Sequence, residues 1–140
     1  MRQILLFAAL AASLALLSGC ALSKAKADTA EDITDKAAYQ KISAEEAYEM
    51  MASQEVVVVD VRTREEYDGG HIENAVLVPN ESIDSEMPEA LPDKEATLLI
   101  YCRSGRRSKD AAQKLLALGY QSVYDFGGVI DWPYELVKEG

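Results

Sequence analysis

The chain has 140 residues, 49% of them hydrophobic and 27% charged, a globular balance that suits one domain with its own core behind a short leader. Its 14 Lys and Arg are outnumbered by 24 Asp and Glu, a formal net charge of −10. So acidic a chain argues against nucleic acid as a partner and disfavours non-specific contact with anionic lipid, whereas the local basic cluster Arg103, Arg106 and Arg107 suits a small anion.

The chain opens on the short positive stretch Met1-Arg2-Gln3, followed by the almost wholly apolar run from Ile4 to Leu17. That run is shorter than the roughly 20 residues a spanning helix needs, and its flanks are those of a secretory signal. It ends in Leu17-Ser18-Gly19-Cys20, which resembles the lipobox of bacterial lipoproteins, in which the cysteine becomes the lipidated first residue. The expectation is a signal peptide over 1–19, lipidation at Cys20, a tether over 20–39 that is rich in small and charged residues, and a folded domain over 40–140. Such a protein is anchored to the cell membrane by lipid and faces the extracytoplasmic side, in a periplasm or at the cell exterior. Cys20 and Cys102 are not expected to pair, because one ends the leader and the other lies in the domain.

Within the domain, Ser43-Ala44-Glu45-Glu46 has the pattern of a capping box and predicts a helix to about Ala52. Val56 to Val59 is a β-branched run of the kind buried on both faces of a parallel sheet. Thr63-Arg64-Glu65-Glu66 repeats the capping-box pattern, and Gly69-Gly70 stops that short helix. Ala75 to Val78 predicts a second strand, residues 82–90 a short helix closed by Pro92, and Thr97 to Tyr101 a third strand. Arg107 to Leu118 carries apolar residues at helical spacing, and Gly119 stops it. Ser122 to Tyr124 predicts a fourth strand, and Val129 to Lys138 a closing helix with Pro133 near its start. Alternating strands and helices indicate an α/β fold with right-handed crossovers.

The chemistry concentrates at Cys102. It directly follows a buried strand, and Arg103-Ser104-Gly105-Arg106-Arg107 leads from it into a helix. Ligands of open α/β sheets bind at the carboxyl ends of strands, and a helix N-terminus offers unpaired N–H groups and partial positive charge. A short loop there can aim successive N–H groups inward, and Gly105 allows the backbone angles this requires. Helix and arginines together favour the thiolate, which is the nucleophilic form. Arg106 or Arg107 has the reach to grip an oxyanion through two parallel hydrogen bonds; which of them does so stays open.

Val59-Asp60-Val61-Arg62, Glu66-Tyr67, Gly70-His71-Ile72-Glu73-Asn74-Ala75, Pro79-Asn80, the run Tyr101 to Ser108, and Gly127-Gly128 with Trp132 together resemble a single-domain rhodanese over roughly residues 40–140. The resemblance implies a central, mostly parallel five-stranded sheet with helices on both faces. It also implies a thiosulfate sulfurtransferase. The Cys102 thiolate takes sulfur from thiosulfate or a similar small anionic donor and holds it as a persulfide. Cyanide or another thiol then removes it. Arg103, Ser104, Gly105, Arg106 and Arg107 are the implied substrate- and persulfide-holding positions, Asp60 and Arg62 an ion-paired brace beneath them, His71 a shaper of the fold, and Trp132 a packing residue. No metal and no organic cofactor is implied. Two other functions fit parts of the pattern. A dual-specificity phosphatase needs Cys, five residues, then Arg, and here that place is Ser108. A membrane-tethered persulfide carrier or partner-binding module uses the same loop without turnover.

Overall fold

The computed structural model describes residues 38–139. The leader, Cys20 and nearly all of the tether lie outside those residues. Strands β1 (Gln40–Lys41), β2 (Val57–Asp60), β3 (Val76–Leu77), β4 (Thr97–Cys102) and β5 (Ser122–Gly128) form one sheet in the order β1-β5-β4-β2-β3. Every pair in it is parallel. The α/β architecture is therefore the expected one.

Side chains alternate across the sheet, so neighbours on β2 and β4 serve two cores. Val59, Leu98, Ile100 and Cys102 face helix α3 (Arg106–Ala117), whose Ala111, Ala112 and Leu115 are fully buried against them. Val58, Leu99 and Tyr101 face α1 (Ala44–Ser53) and α2 (Arg64–Asp68), packing with Ala47, Tyr67, Phe126 and Trp132. Each fully buried Leu, Ile or Val contributes about 1.5–3 kcal/mol relative to exposure. Both capping boxes form: Ser43 accepts from Glu46 N–H and Thr63 from Glu66 N–H, while each glutamate accepts from the cap's own N–H.

Two expected helices are corrected. Residues 82–90 are not helical; a 3-10 turn at Asn80–Ser82 precedes a run of bends and turns. Pro88 inside that stretch supplies no N–H and disfavours helical angles at Met87, and the segment is held by burial of Ile83 and Leu91. Residues 129–138 form only a 3-10 turn, Val129–Asp131, followed by extended chain. Pro133 pushes Trp132 to extended angles, and the chain then bridges antiparallel to His71 through Val137, at 2.9 and 2.8 Å.

Candidate active site

β4 delivers Cys102 to the carboxyl end of the sheet, where the residue is 1% exposed. Residues 103–105 then turn the chain directly into α3. Gly105 caps that helix at φ +97°, a left-handed angle that a side chain strains. The turn brings its N–H group 3.0 Å from the Cys102 sulfur. Ser108, fully buried in the first turn of α3, places its Oγ 3.6 Å from the same sulfur, 3.1 Å from Gly105 O and 3.3 Å from Gly127 O. The two carbonyls fix where the hydroxyl oxygen sits. Its single hydrogen can turn from them to the sulfur when Cys102 loses its proton.

Burial pushes the Cys102 thiol up. The N–H and hydroxyl of Ser108 and the N–H groups of Gly105 and Ser104 outweigh it and hold the thiol below its ordinary value. This is hydrogen bonding to the charged form winning over desolvation. The result is a sulfur cradled by backbone donors at the start of a 12-residue helix, an arrangement that favours the thiolate form.

The other loop side chains divide. Arg103, Ser104 and Arg106 are exposed to solvent. Arg107 turns aside into a two-pronged ion pair with Glu66 of α2, at 2.7 and 2.8 Å. That arginine pulls the Glu66 carboxyl down to about 2, against a smaller upward push from burial. Glu66 thereby holds the α2 cap and the active loop at once. In sequence Glu66 shows as a capping residue and Ser108 as the place where a phosphatase would carry arginine, both within motifs of the family resemblance, and neither shows its contact with Arg107 or the sulfur. Pairing across 41 residues of chain leaves no local signature.

Beneath the site, Asp60 is fully buried at the end of β2, and its carboxylate accepts five hydrogen bonds, one of them from the Arg62 backbone N–H at 2.9 Å. Arg62 Nε lies at 2.9 and 3.0 Å from its two oxygens, Arg62 Nη2 at 2.6 Å, and the Tyr101 hydroxyl at 2.6 Å. Arg62 also donates to Gly70 O at 2.7 Å. Burial and the Asp60 carboxylate push the Tyr101 hydroxyl upward, so it stays a donor. His71 lies away from the sulfur, stacked 3.6 Å from Tyr67 with Nδ1 on Tyr67 O. Trp132 packs against Phe126. Among the described residues no group of His, Cys, Asp or Glu has the geometry to hold a metal.

The family described as a rhodanese-like domain matches residues 43–133, more than half of the chain. Among solved structures, a human single-domain sulfurtransferase is 27% identical with a TM-score of 0.60, over 66% of this chain and 93% of that one. A rhodanese with anions from E. coli is 33% identical with a TM-score of 0.56, over 61% of this chain and all of that one. A curated relative, the tRNA uridine(34) hydroxylase of Hamiltonella defensa, is 35% identical over 113 residues, which is 76% of this chain and 32% of that protein. The chain spans about a third of the length of the curated relatives it matches.

Proposed function

The chain belongs to the rhodanese-like domain family, and on that premise we propose that it is a thiosulfate sulfurtransferase working through a Cys102 persulfide. One observation carries the reading. The sulfur of Cys102 sits inside a loop of inward-facing N–H donors, with Gly105 N at 3.0 Å, and these donors hold the thiol below its ordinary value against the push of burial. The thiolate attacks the outer sulfur of thiosulfate; the S–S bond of the donor breaks and sulfite leaves with the electron pair. A thiol or cyanide then attacks the outer sulfur of the persulfide, and the Cys102 thiolate departs. The same N–H groups neutralise the terminal sulfur in the persulfide and the thiolate before and after it. Arg103 and Arg106, exposed at the mouth, attract the anionic donor. Arg107, tied to Glu66, shapes the loop.

A phosphatase reading is disfavoured by Ser108 at the position where the phosphate-gripping arginine belongs. A tRNA substrate, named in the curated relatives, is disfavoured for this chain. The match covers about a third of their length, and a net charge of −10 opposes an RNA backbone. The test is thiocyanate formation from thiosulfate and cyanide. Turnover by the wild type that is lost in Cys102→Ser supports the function. A wild-type persulfide that forms without turnover to cyanide or small thiols would replace enzyme by carrier.

The run Leu17-Ser18-Gly19-Cys20 supports a second part of the proposal, that Cys20 is lipidated and tethers the domain to the extracytoplasmic face of the cell membrane. Incorporation of a labelled fatty acid that disappears in Cys20→Ser supports it; equal membrane retention of that variant would refute it.

A further inference from the structure

The sulfur-carrying loop rests on β5, and β5 is irregular at that point. Its ladder with β4 runs Ile100 to Asp125, then Tyr101 to Gly127 and Cys102 to Gly128, so Phe126 is an extra residue. This is a β-bulge beside the reactive cysteine, a device that re-aims a strand near active sites. The bulge carries Gly127 at φ +93°. A Cβ on Gly105 would lie 3.5 Å from Gly127 Cα, and one on Gly128 would collide with Arg103 O and approach Ser104 Cα to 2.6 Å. The two glycines thus form a flat seat on which residues 103–105 close.

What pins the bulge is Asp125. It is fully buried, and its Oδ1 accepts the Gly127 N–H at 2.9 Å. Its Oδ2 accepts the Tyr39 hydroxyl at 2.6 Å and lies 3.8 Å from Lys41 Nζ, while its backbone carbonyl accepts from Ile42 N–H at 3.0 Å. Tyr39, pushed up to about 12 by burial first and then by Asp125, remains protonated as a donor. A charged residue in the middle of a buried strand is costly unless its partners compensate. Here they orient one oxygen onto one N–H group.

We propose that Asp125 is a positioning residue for the sulfur-carrying loop, fixing through the Gly127 N–H the bulge that seats residues 103–105 around Cys102. This rests on the sulfur-transfer reading for its purpose but not for its test. Without that acceptor the Gly127 N–H is orphaned, the bulge relaxes toward a regular ladder, and the loop donors drift from the sulfur.

The experiment is the pH dependence of Cys102 alkylation by iodoacetamide in folded protein. Asp125→Ala is expected to raise the alkylation midpoint by about one pH unit, the worth of roughly one hydrogen bond to the sulfur. Asp125→Asn keeps an oxygen for the Gly127 N–H and loses the charge facing Lys41, so its midpoint is expected to stay close to that of the wild type. The other charged or titratable groups near the two sites, Arg103, Arg106 and Arg107 around the loop, Glu66 on α2, and Lys41 and Tyr39 beside Asp125, are unchanged in both variants. An unmoved midpoint in Asp125→Ala overturns the proposal. So does an Asn variant as shifted as Ala, which would assign the effect to charge. If Asp125→Ala fails to fold, Gly127→Ala decides: it keeps Asp125 but strains the left-handed angle, and an unmoved midpoint there overturns the proposal equally. Alkylation needs no sulfur donor. A wild type inert toward thiosulfate would therefore sink the function and leave this inference standing on its own readout.

Discussion

Replacing Glu66 by glutamine tests the link between α2 and the active loop. Gln keeps an oxygen for the Thr63 N–H, so the capping box survives, while the charge facing Arg107 and one of the two acceptors of its guanidinium are lost. A carboxyl held at about 2 rather than at its ordinary 4.5 corresponds to an upper limit of about 3 kcal/mol, at about 1.4 kcal/mol per pH unit. The two side chains are 20% and 28% exposed, and solvent screening brings the expected cost to about 1–2 kcal/mol at neutral pH. The folded-state value is depressed, so this stability is complete above the ordinary value. It fades as pH falls from about 4.5 toward 2. Urea unfolding of wild type and Glu66→Gln at a series of pH values reads it directly. The midpoints should differ by roughly 1 M urea at pH 7 and converge in acid. A difference that stays constant from pH 7 to pH 3 would refute the ion pair as its source.

Three further outcomes follow from the geometry. Asp60→Asn strips the charge from the carboxylate that Arg62 and Tyr101 share, and is expected to cost about 3–5 kcal/mol by denaturation; a loss below about 1 kcal/mol would contradict the brace. Gly128→Ala drives a methyl into Arg103 O and Ser104 Cα, so it should slow Cys102 alkylation strongly even where the protein still folds; wild-type reactivity would show that the loop does not rest there. Arg106→Ala should raise the KM for thiosulfate several-fold, more at low salt, with an unchanged melting temperature; Arg107→Ala should instead lower the melting temperature. The opposite pattern would make Arg107 the anion contact.

Much of this is legible in sequence wherever the cause is local. Ser43 with Glu46 and Thr63 with Glu66 announce their helices because a capping box is complete within four residues. The valines of β2 announce a strand covered on both faces, and Cys102 with Gly105 announces a strand-to-helix turn. Strand β1 spans only Gln40–Lys41, too short to carry a period, and exists because β5 offers it an edge. The helices expected over 82–90 and 129–138 fail at Pro88 and Pro133, where a lost N–H and a crowded preceding residue outweigh helix-forming neighbours. Glu66 with Arg107, and Asp125 beneath Gly127 and the loop, depend on which elements meet in space. An aspartate inside Tyr124-Asp125-Phe126-Gly127-Gly128 is the one visible hint of the latter, a charge in a buried strand just before a turn.

The proposed persulfide route requires Cys102 to accept and carry a single sulfur atom. Intact-protein mass spectrometry after brief exposure to thiosulfate, followed by removal of the donor, tests it most directly. The wild type should gain the mass of one sulfur atom, lose it on addition of cyanide, and show no gain as Cys102→Ala. A wild-type mass that does not change, with Cys102 still free to react with iodoacetamide, would contradict the account.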